Sequence, residues 1–253
     1  MSIKSLVEGI PYTRESIGKS GAEVRMYPGM VLKIGRTDAL REESAMLTWL
    51  EGKLPVPRVL AFESEAEPGM SAILMTRIHG DMACSEALME NPTTLMDALG
   101  EAFDLLRHVE CPKQDAVARD LERAEQRVLA GQVDVSEWSP RTISMGFTDP
   151  ERLLSWLEMN RPATGHSFSH GDLCLPNILV EHGHVAGFID LGSAGAADLW
   201  RDLALCERSI EDNFSGKYSR KPRPLDSKLF WNAVALEPDR ERMNYYLLLD
   251  ELL

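Results

Sequence analysis

Cysteine is scarce. The chain has 253 residues and four cysteines, Cys84, Cys111, Cys174 and Cys206, and no two have metal-site or disulfide-framework spacing. A reducing, cytoplasmic setting is the expectation. Long apolar runs are missing too. None approaches the roughly 18 residues needed to span a bilayer, and residues 1–8 lack the basic-then-apolar order of a secretory signal, so no membrane partner is expected. Basic residues are outnumbered, 27 Lys and Arg against 40 Asp and Glu, for a net charge of −13. That balance repels a phosphate backbone and argues against nucleic acid as a partner. It would attract a cationic ligand, although acidity can also serve solubility alone. There is no internal repeat and no low-complexity tract.

What is present suits a well-cored globular protein: 44% of residues are hydrophobic and 26% charged. The length allows two lobes around a cleft. Residues 10–17, 22–26 and 30–35 read as short strands broken by Gly18, Gly21, Pro28 and Gly29, the punctuation of a β-meander. Residues 38–52 read as a helix with Asp38 as N-cap, stopped by Pro55 and Pro57. Two further strands are expected at 58–62 and 70–77, then a turn at His79, Gly80 and Asp81. Beyond residue 81 helical periodicity takes over, at 82–89, 92–109, 113–130, 150–159, 198–213, 227–236 and from Pro238 to the C-terminus. Residues 131–148 carry few regular signals, and a stretch that long is often functional. Residues 167–189 read as short strands and turns. The fold class expected is α+β, with a small β-rich lobe over 1–80 and a larger, mainly helical lobe over 81–253.

The chemistry concentrates in His170-Gly171-Asp172-Leu173-Cys174-Leu175-Pro176-Asn177. An Asp followed five residues later by an Asn, on a loop leaving a short strand, matches a kinase catalytic loop. Phosphoryl transfer to an alcohol needs a carboxylate to orient the hydroxyl and take its proton, and an oxygen ligand for a magnesium ion. Asp172 suits the first task and Asn177 the second, with His170 orienting the loop. His-Gly-Asp alone could be an ordinary turn. Thirteen residues after Asn177 stands Asp190, in Gly187-Phe188-Ile189-Asp190-Leu191-Gly192, where an acidic residue leaves an apolar strand and meets glycine. It is the candidate second magnesium ligand; the bland reading is a strand-end Asp capping a turn.

Upstream, Lys33 stands alone in the apolar run Val31-Leu32-Lys33-Ile34. A buried ammonium needs a partner. Glu43, on the following helix, is the candidate, distinguished from Glu42 by the roughly 100° between adjacent helical residues. A surface lysine on an edge strand is the alternative. Ser20, within Gly18-Lys19-Ser20-Gly21, would sit in a phosphate-covering turn; the earlier glycine of a Walker A motif is replaced by Thr13. His182 and His184 flank Gly183 in an expected hairpin turn rather than a metal site.

Taken together, these segments resemble the aminoglycoside 3′-phosphotransferases. The resemblance is carried by Trp49 through Pro57, by Ser169 through Ile178, by Gly187 through Gly192, by Asp198 and Asp202-Leu203-Ala204, and by the ending Tyr245 through Leu253. It covers nearly the whole chain. It implies a protein-kinase-like, two-lobed fold with ATP between the lobes and Mg2+ as cofactor. Adenine would bond to backbone near Thr76 and Ile78, Lys33 and Glu43 would clamp the α- and β-phosphates, and Ser20 would cover the triphosphate. The implied reaction is phosphorylation of an aminoglycoside antibiotic on its 3′-hydroxyl, conferring resistance. The antibiotic would meet Asp134, Glu137, Asp250, Glu251 and the terminal carboxylate of Leu253, with Arg208 and Asp212 as further candidates. A monomer or weak dimer is expected. Departures from the family are Ser193, where many relatives carry Arg, Val31 where some place an aromatic residue, and the basic segment from Lys217 to Pro224, which would narrow the substrate range if it lay near the substrate. A metabolic kinase acting on a sugar amine or amino alcohol shares the same catalytic pieces, and a nucleotide-binding pseudokinase would lack one of them.

Overall fold

The glycine and proline punctuation near the N-terminus resolves into a five-stranded antiparallel sheet. The computed structural model describes residues 2–15, 22–64, 67–163, 167–218 and 221–253. Its strands are β1 (Thr13–Glu15), β2 (Glu23–Met26), β3 (Met30–Arg36), β4 (Val59–Ser64) and β5 (Met70–Thr76), in the order β1-β2-β3-β5-β4. β3 is therefore central, and Lys33 pairs with Val24 on one side and Ile73 on the other. The edge-strand reading of Lys33 is excluded. One face of the sheet packs Leu32, Ala72 and Leu74 with Tyr27 and Ile3. Expelling such side chains from water is the main source of stability.

The helix Thr37–Leu50 follows β3 directly, and the N–H of Thr37 donates to the carbonyl of Gly69 at 2.8 Å. Asp38 is thus not the N-cap expected from sequence. Arg36 holds that position without a side-chain cap, and Asp38 lies in the first turn, where its charge complements the helix dipole. Residues 82–89 also differ from expectation. Asp81–Met82 is a strand paired with Ile178–Glu181, and only Glu86–Met89 is helical. The hairpin Ile178–Glu181 to His184–Phe188 turns through His182 and Gly183, both with positive φ, the geometry of a tight two-residue turn.

The chain forms two compact units: Met1–Leu105 with Leu175–Ser193, and Leu106–Cys174 with Ala194–Leu253. A cut at residue 80 differs from this grouping, because strand pairing draws 81–82 and the later hairpin into the first unit, a discontinuity that no linear reading of the chain reveals.

The second unit is mainly helical. Its helices Ala116–Leu129, Pro150–Met159, Leu199–Phe214 and Arg240–Asp250 are each opened by an aspartate, Asp115, Asp149, Asp198 and Asp239, whose side chain accepts a first-turn N–H. The strands Ser167–Ser169 and Gly195–Ala197 pair antiparallel. Residues 131–148 are more regular than their sequence suggests: they hold a 3-10 turn, Val135–Glu137, capped by Asp134, and a short helix, Pro140–Ser144, capped by Ser139. Both caps are Ser or Asp side chains within irregular-looking sequence, so periodicity misses them.

Candidate active site

In the first unit the buried face of the helix Thr37–Leu50 runs Leu40, Glu43, Leu47, Leu50, which places one carboxylate inside an apolar stripe. That carboxylate meets Lys33, whose Nζ lies 2.9 and 3.2 Å from the two oxygens of Glu43. The same ammonium also donates to Oδ1 of Asp190. Burial pulls the Lys33 pKa down, but the charges of Glu43 and Asp190 outweigh it and raise the pKa above the ordinary lysine value. The ammonium therefore stays charged although buried. Glu42, one residue away, is only partly buried.

Asn177 leads into one strand of the hairpin and Asp190 follows the other. The N–H of Ile189 donates to the carbonyl of Asn177 at 3.0 Å, and Ile178 pairs with Phe188. Asn177 is buried, whereas the Asp190 side chain is 40% accessible and its backbone has φ 62°. Their side-chain donors are oxygens, the set a hard cation such as Mg2+ takes. Gly187, on the strand leading to Asp190, has no room for a side chain: a Cβ there would lie 2.5 Å from Cδ1 of Ile78 and 2.6 Å from the carbonyl oxygen of Pro55. That close approach fixes Ile78 against the strand His184–Phe188. Thr76 is held by reciprocal bonds with Arg58, its N–H donating at 2.9 Å and its Oγ1 accepting at 2.8 Å. Ser20 lies outside the described residues.

In the second unit Asp172 is exposed on a loop flanked by buried Gly171 and Leu173. The loop is pinned from behind. Asp202, fully buried, accepts the N–H of His170 at 2.8 Å, the N–H of Gly171 at 2.9 Å and the hydroxyl of Ser169 at 3.0 Å. Nδ1 of His170 accepts the N–H of Asp172 at 3.3 Å, which leaves the ring proton on Nε2. Gly171 has φ 88°, a conformation that favours glycine. Beside Asp202, Arg201 pairs with the buried Asp120 and ties the helix Leu199–Phe214 to Ala116–Leu129. In the sequence Asp202 opens the segment Asp202-Leu203-Ala204 that carries part of the resemblance, but no role is read for it; an acid on the buried helix face is the signal that could have marked one.

Asp212, Asp250 and Glu251, three of the acidic residues expected to meet substrate, are already engaged with other groups of the protein. Asp250 pairs with Arg208 at 2.6 Å. Burial lowers the Arg208 pKa, but Asp250, Asp212 and Glu251 together raise it. Asp212 binds the ammonium of Lys217 at 2.7 Å. Glu251 accepts the N–H of Ser139 at 3.0 Å and the hydroxyl of Thr142 at 2.7 Å, while its carbonyl accepts the indole N–H of Trp138 at 3.1 Å. It staples residues 138–142 to the C-terminus. Asp134 is exposed and caps its own turn through Ser136; Glu137 is exposed, as is Leu253. Arg208, Asp212, Asp250 and Glu251 thus share one neighbourhood.

A family model described as the phosphotransferase enzyme family matches residues 21–244. The chain is 35% identical to an aminoglycoside 3′-phosphotransferase of Enterococcus faecalis, over 99% of this chain and 96% of that protein. Among solved structures it is similar to an aminoglycoside-3′-phosphotransferase of type VIII, with 26% identity, a TM-score of 0.82 and coverage of 98% and 96% of the two chains. It is also similar to an aminoglycoside phosphotransferase of Streptomyces rimosus in complex with ADP and streptomycin, with 25% identity, a TM-score of 0.68 and coverage of 93% and 94%. Among the described residues no helix is long and apolar enough to cross a membrane.

Proposed function

Since the chain belongs to the phosphotransferase enzyme family, we propose that it transfers the γ-phosphoryl group of ATP to an aminoglycoside, at the 3′-hydroxyl, and so confers resistance. The observation that carries this reading is the 35% identity with the Enterococcus faecalis enzyme across 99% of the chain. Residues 1–80 serve the nucleotide and 81–253 serve catalysis and the antibiotic. The setting is the cytoplasm, and the protein works as a monomer or weak dimer.

Asp172 lies within hydrogen-bond reach of the attacking hydroxyl and takes its proton as the new O–P bond forms and the bond to the β-phosphate oxygen breaks, releasing ADP. His170 and Asp202 hold that carboxylate in place through the loop main chain. Lys33, steadied by Glu43, binds the α- and β-phosphates. Ser20 covers the phosphates, and backbone at Thr76 and Ile78 receives adenine. Asn177 and Asp190 would hold Mg2+, which when bound neutralises charge on the phosphates. The ammonium groups of the antibiotic bond to Asp134, Glu137, Asp250 and Glu251, next to Leu253, with Arg208 orienting Asp250 and Asp212 beside them, already bonded to Lys217.

The test is ADP production by the purified protein with magnesium and ATP, against a panel of aminoglycosides and a panel of small amino alcohols and sugar amines. Turnover with aminoglycosides is the expected result. Turnover confined to the small amines would replace this reading with a metabolic kinase.

A further inference from the structure

The helix Leu199–Phe214 ends in a way that places one particular cation on one particular carboxylate. Gly216, with φ 87°, turns the chain left-handed just past the helix. The N–H of Gly216 then donates to the carbonyl of Asn213 at 3.3 Å, and the N–H of Lys217 to the carbonyl of Asp212 at 3.1 Å. This pair of bonds is the Schellman closure of a helix C-terminus. It sets Lys217 directly over Asp212, and the Lys217 ammonium bonds the Asp212 carboxylate at 2.7 Å, with the Tyr218 hydroxyl 3.5 Å from the same oxygen. A side chain at Gly216 would be strained by its φ and would press on Pro222, whose N lies 3.1 Å from the Cβ position. Main chain and side chain therefore deliver Lys217 to the same residue.

Asp212 stands in the field of Arg208, and Asp250 is bonded to it, so this surface carries two cations of its own among its carboxylates. The two differ in exchangeability. Arg208 stands mid-helix, bonded to Asp250 and in the field of Asp212 and Glu251, whereas the Lys217 side chain is 56% accessible and Asp212 only 23%. A flexible, hydrated ammonium at an accessible site is readily displaced.

We propose that Lys217 is a specificity-determining residue: its ammonium occupies the seat on Asp212 that an ammonium group of the substrate would otherwise take. The enzyme then gains little from an amino group at that position, and it favours aminoglycosides that lack one over more highly aminated analogues. This inference rests on the aminoglycoside reading of the site, and it arises from this chain's own basic segment.

The experiment compares two aminoglycosides that differ by one amino-for-hydroxyl replacement, in the parent, Lys217→Met, Lys217→Arg, Gly216→Ala and the charge control Lys228→Met, which sits on an exposed helix position elsewhere. Lys217→Met should lower KM for the more aminated compound by about three- to fivefold, the scale of one exposed ion pair, and shrink the preference between the two. Gly216→Ala should move KM in the same direction, and Lys217→Arg should resemble the parent. In an Asp212→Asn background Lys217→Met should no longer change KM, because the cycle removes the shared contact. An active parent whose KM is the same in Lys217→Met, or shifts equally in Lys228→Met, overturns this inference alone. So does an effect that persists in Asp212→Asn. A parent that phosphorylates no aminoglycoside overturns the underlying reading and this inference with it.

Discussion

The carboxylate of Asp202 accepts the main-chain N–H of Gly171 at 2.9 Å, one residue before the exposed Asp172. A fully buried acid on a helix thus sets the position of an accessible acid on a loop. Asp202→Asn keeps the size and an acceptor oxygen but removes the charge that strengthens three hydrogen bonds, and its NH2 faces N–H donors. Charge-assisted bonds contribute about 1.5–3 kcal/mol each, so a loss of stability of that order is expected. The turnover number should fall by at least tenfold while KM for ATP changes little. An unchanged kcat would remove Asp202 from the positioning of the loop.

Asp172→Asn tests the base itself. The side chain is exposed, and the loop is pinned by Asp202 through His170 and Gly171. Folding and nucleotide affinity should be retained, measured by thermal unfolding and by ADP titration. Turnover should drop by about 10²-fold or more, the usual scale for loss of a general base. Near-parent turnover would exclude Asp172 as the base.

Asp190→Asn isolates charge from backbone. Asp190 has φ 62°, and asparagine tolerates that left-handed region well, whereas alanine would add strain. The substitution removes the proposed anionic oxygen ligand and one of the two carboxylates that hold Lys33 charged. Magnesium-dependent ATP affinity should fall by tenfold or more, read as the difference between titrations with magnesium and with EDTA. If the variant binds magnesium and ATP like the parent, the metal assignment is wrong.

Lys33, Glu43 and Asp190 were legible as residues because each breaks a pattern: a lysine in an apolar strand, an acid on a buried helix face, an acid at a strand end. Their meeting was not legible, because it depends on a loop 157 residues downstream returning to β3. Helix starts were read well where an Asp cap is present, as at Asp198, and misread at Asp38, where strand and helix abut and no side chain caps the turn. Periodicity overcalled a helix at 82–89, since Met82 is committed to Leu179 by a strand ladder that only the tertiary fold creates. At the acidic surface the sequence identified the carboxylates but not their partners: the bonds from Arg208 and Lys217, and the staple at Glu251, are tertiary facts.

Glu251 has two separable tasks. Its Oε1 accepts from Ser139 and the buried Thr142, so Glu251→Ala leaves those groups without their acceptor. About 1–2 kcal/mol of stability should be lost, a fall of roughly 2–8 °C in Tm for a chain of this size. Glu251→Gln keeps the acceptor and removes the charge. It should stay near the parent Tm while KM for aminoglycosides rises. Truncation of the last residues is a poorer test of binding, because Leu252 is fully buried and its carbonyl accepts from Arg127. If both variants unfold like the parent, the stapling role of Glu251 is wrong.

Binding and regiochemistry depend on different parts of the antibiotic, and an analogue can separate them. In the proposed reading the ammonium groups are met by carboxylates of the acidic surface, whereas the reaction needs one hydroxyl within about 2.6–3.2 Å of Asp172. A 3′-deoxy aminoglycoside of the same charge keeps every ammonium group and loses only the attacking oxygen. It should inhibit competitively against the parent substrate, with an inhibition constant within a few-fold of that substrate's KM. Its own phosphorylation should be at least 10²-fold slower. The products are resolved by phosphorus and proton NMR after incubation with magnesium and ATP, so that any phosphate is located on its carbon. Phosphate on the 3′-oxygen of the parent compound, with none on the deoxy analogue, is the expected pair of results. Efficient phosphorylation of the deoxy analogue on a second ring would move the site of transfer while leaving Asp172 as base, because the carboxylate acts on whichever hydroxyl the acidic surface presents to it. Failure of the analogue to inhibit would carry a different message: the 3′-hydroxyl would then be part of the binding contact, and the carboxylates would account for less of the affinity than their number suggests.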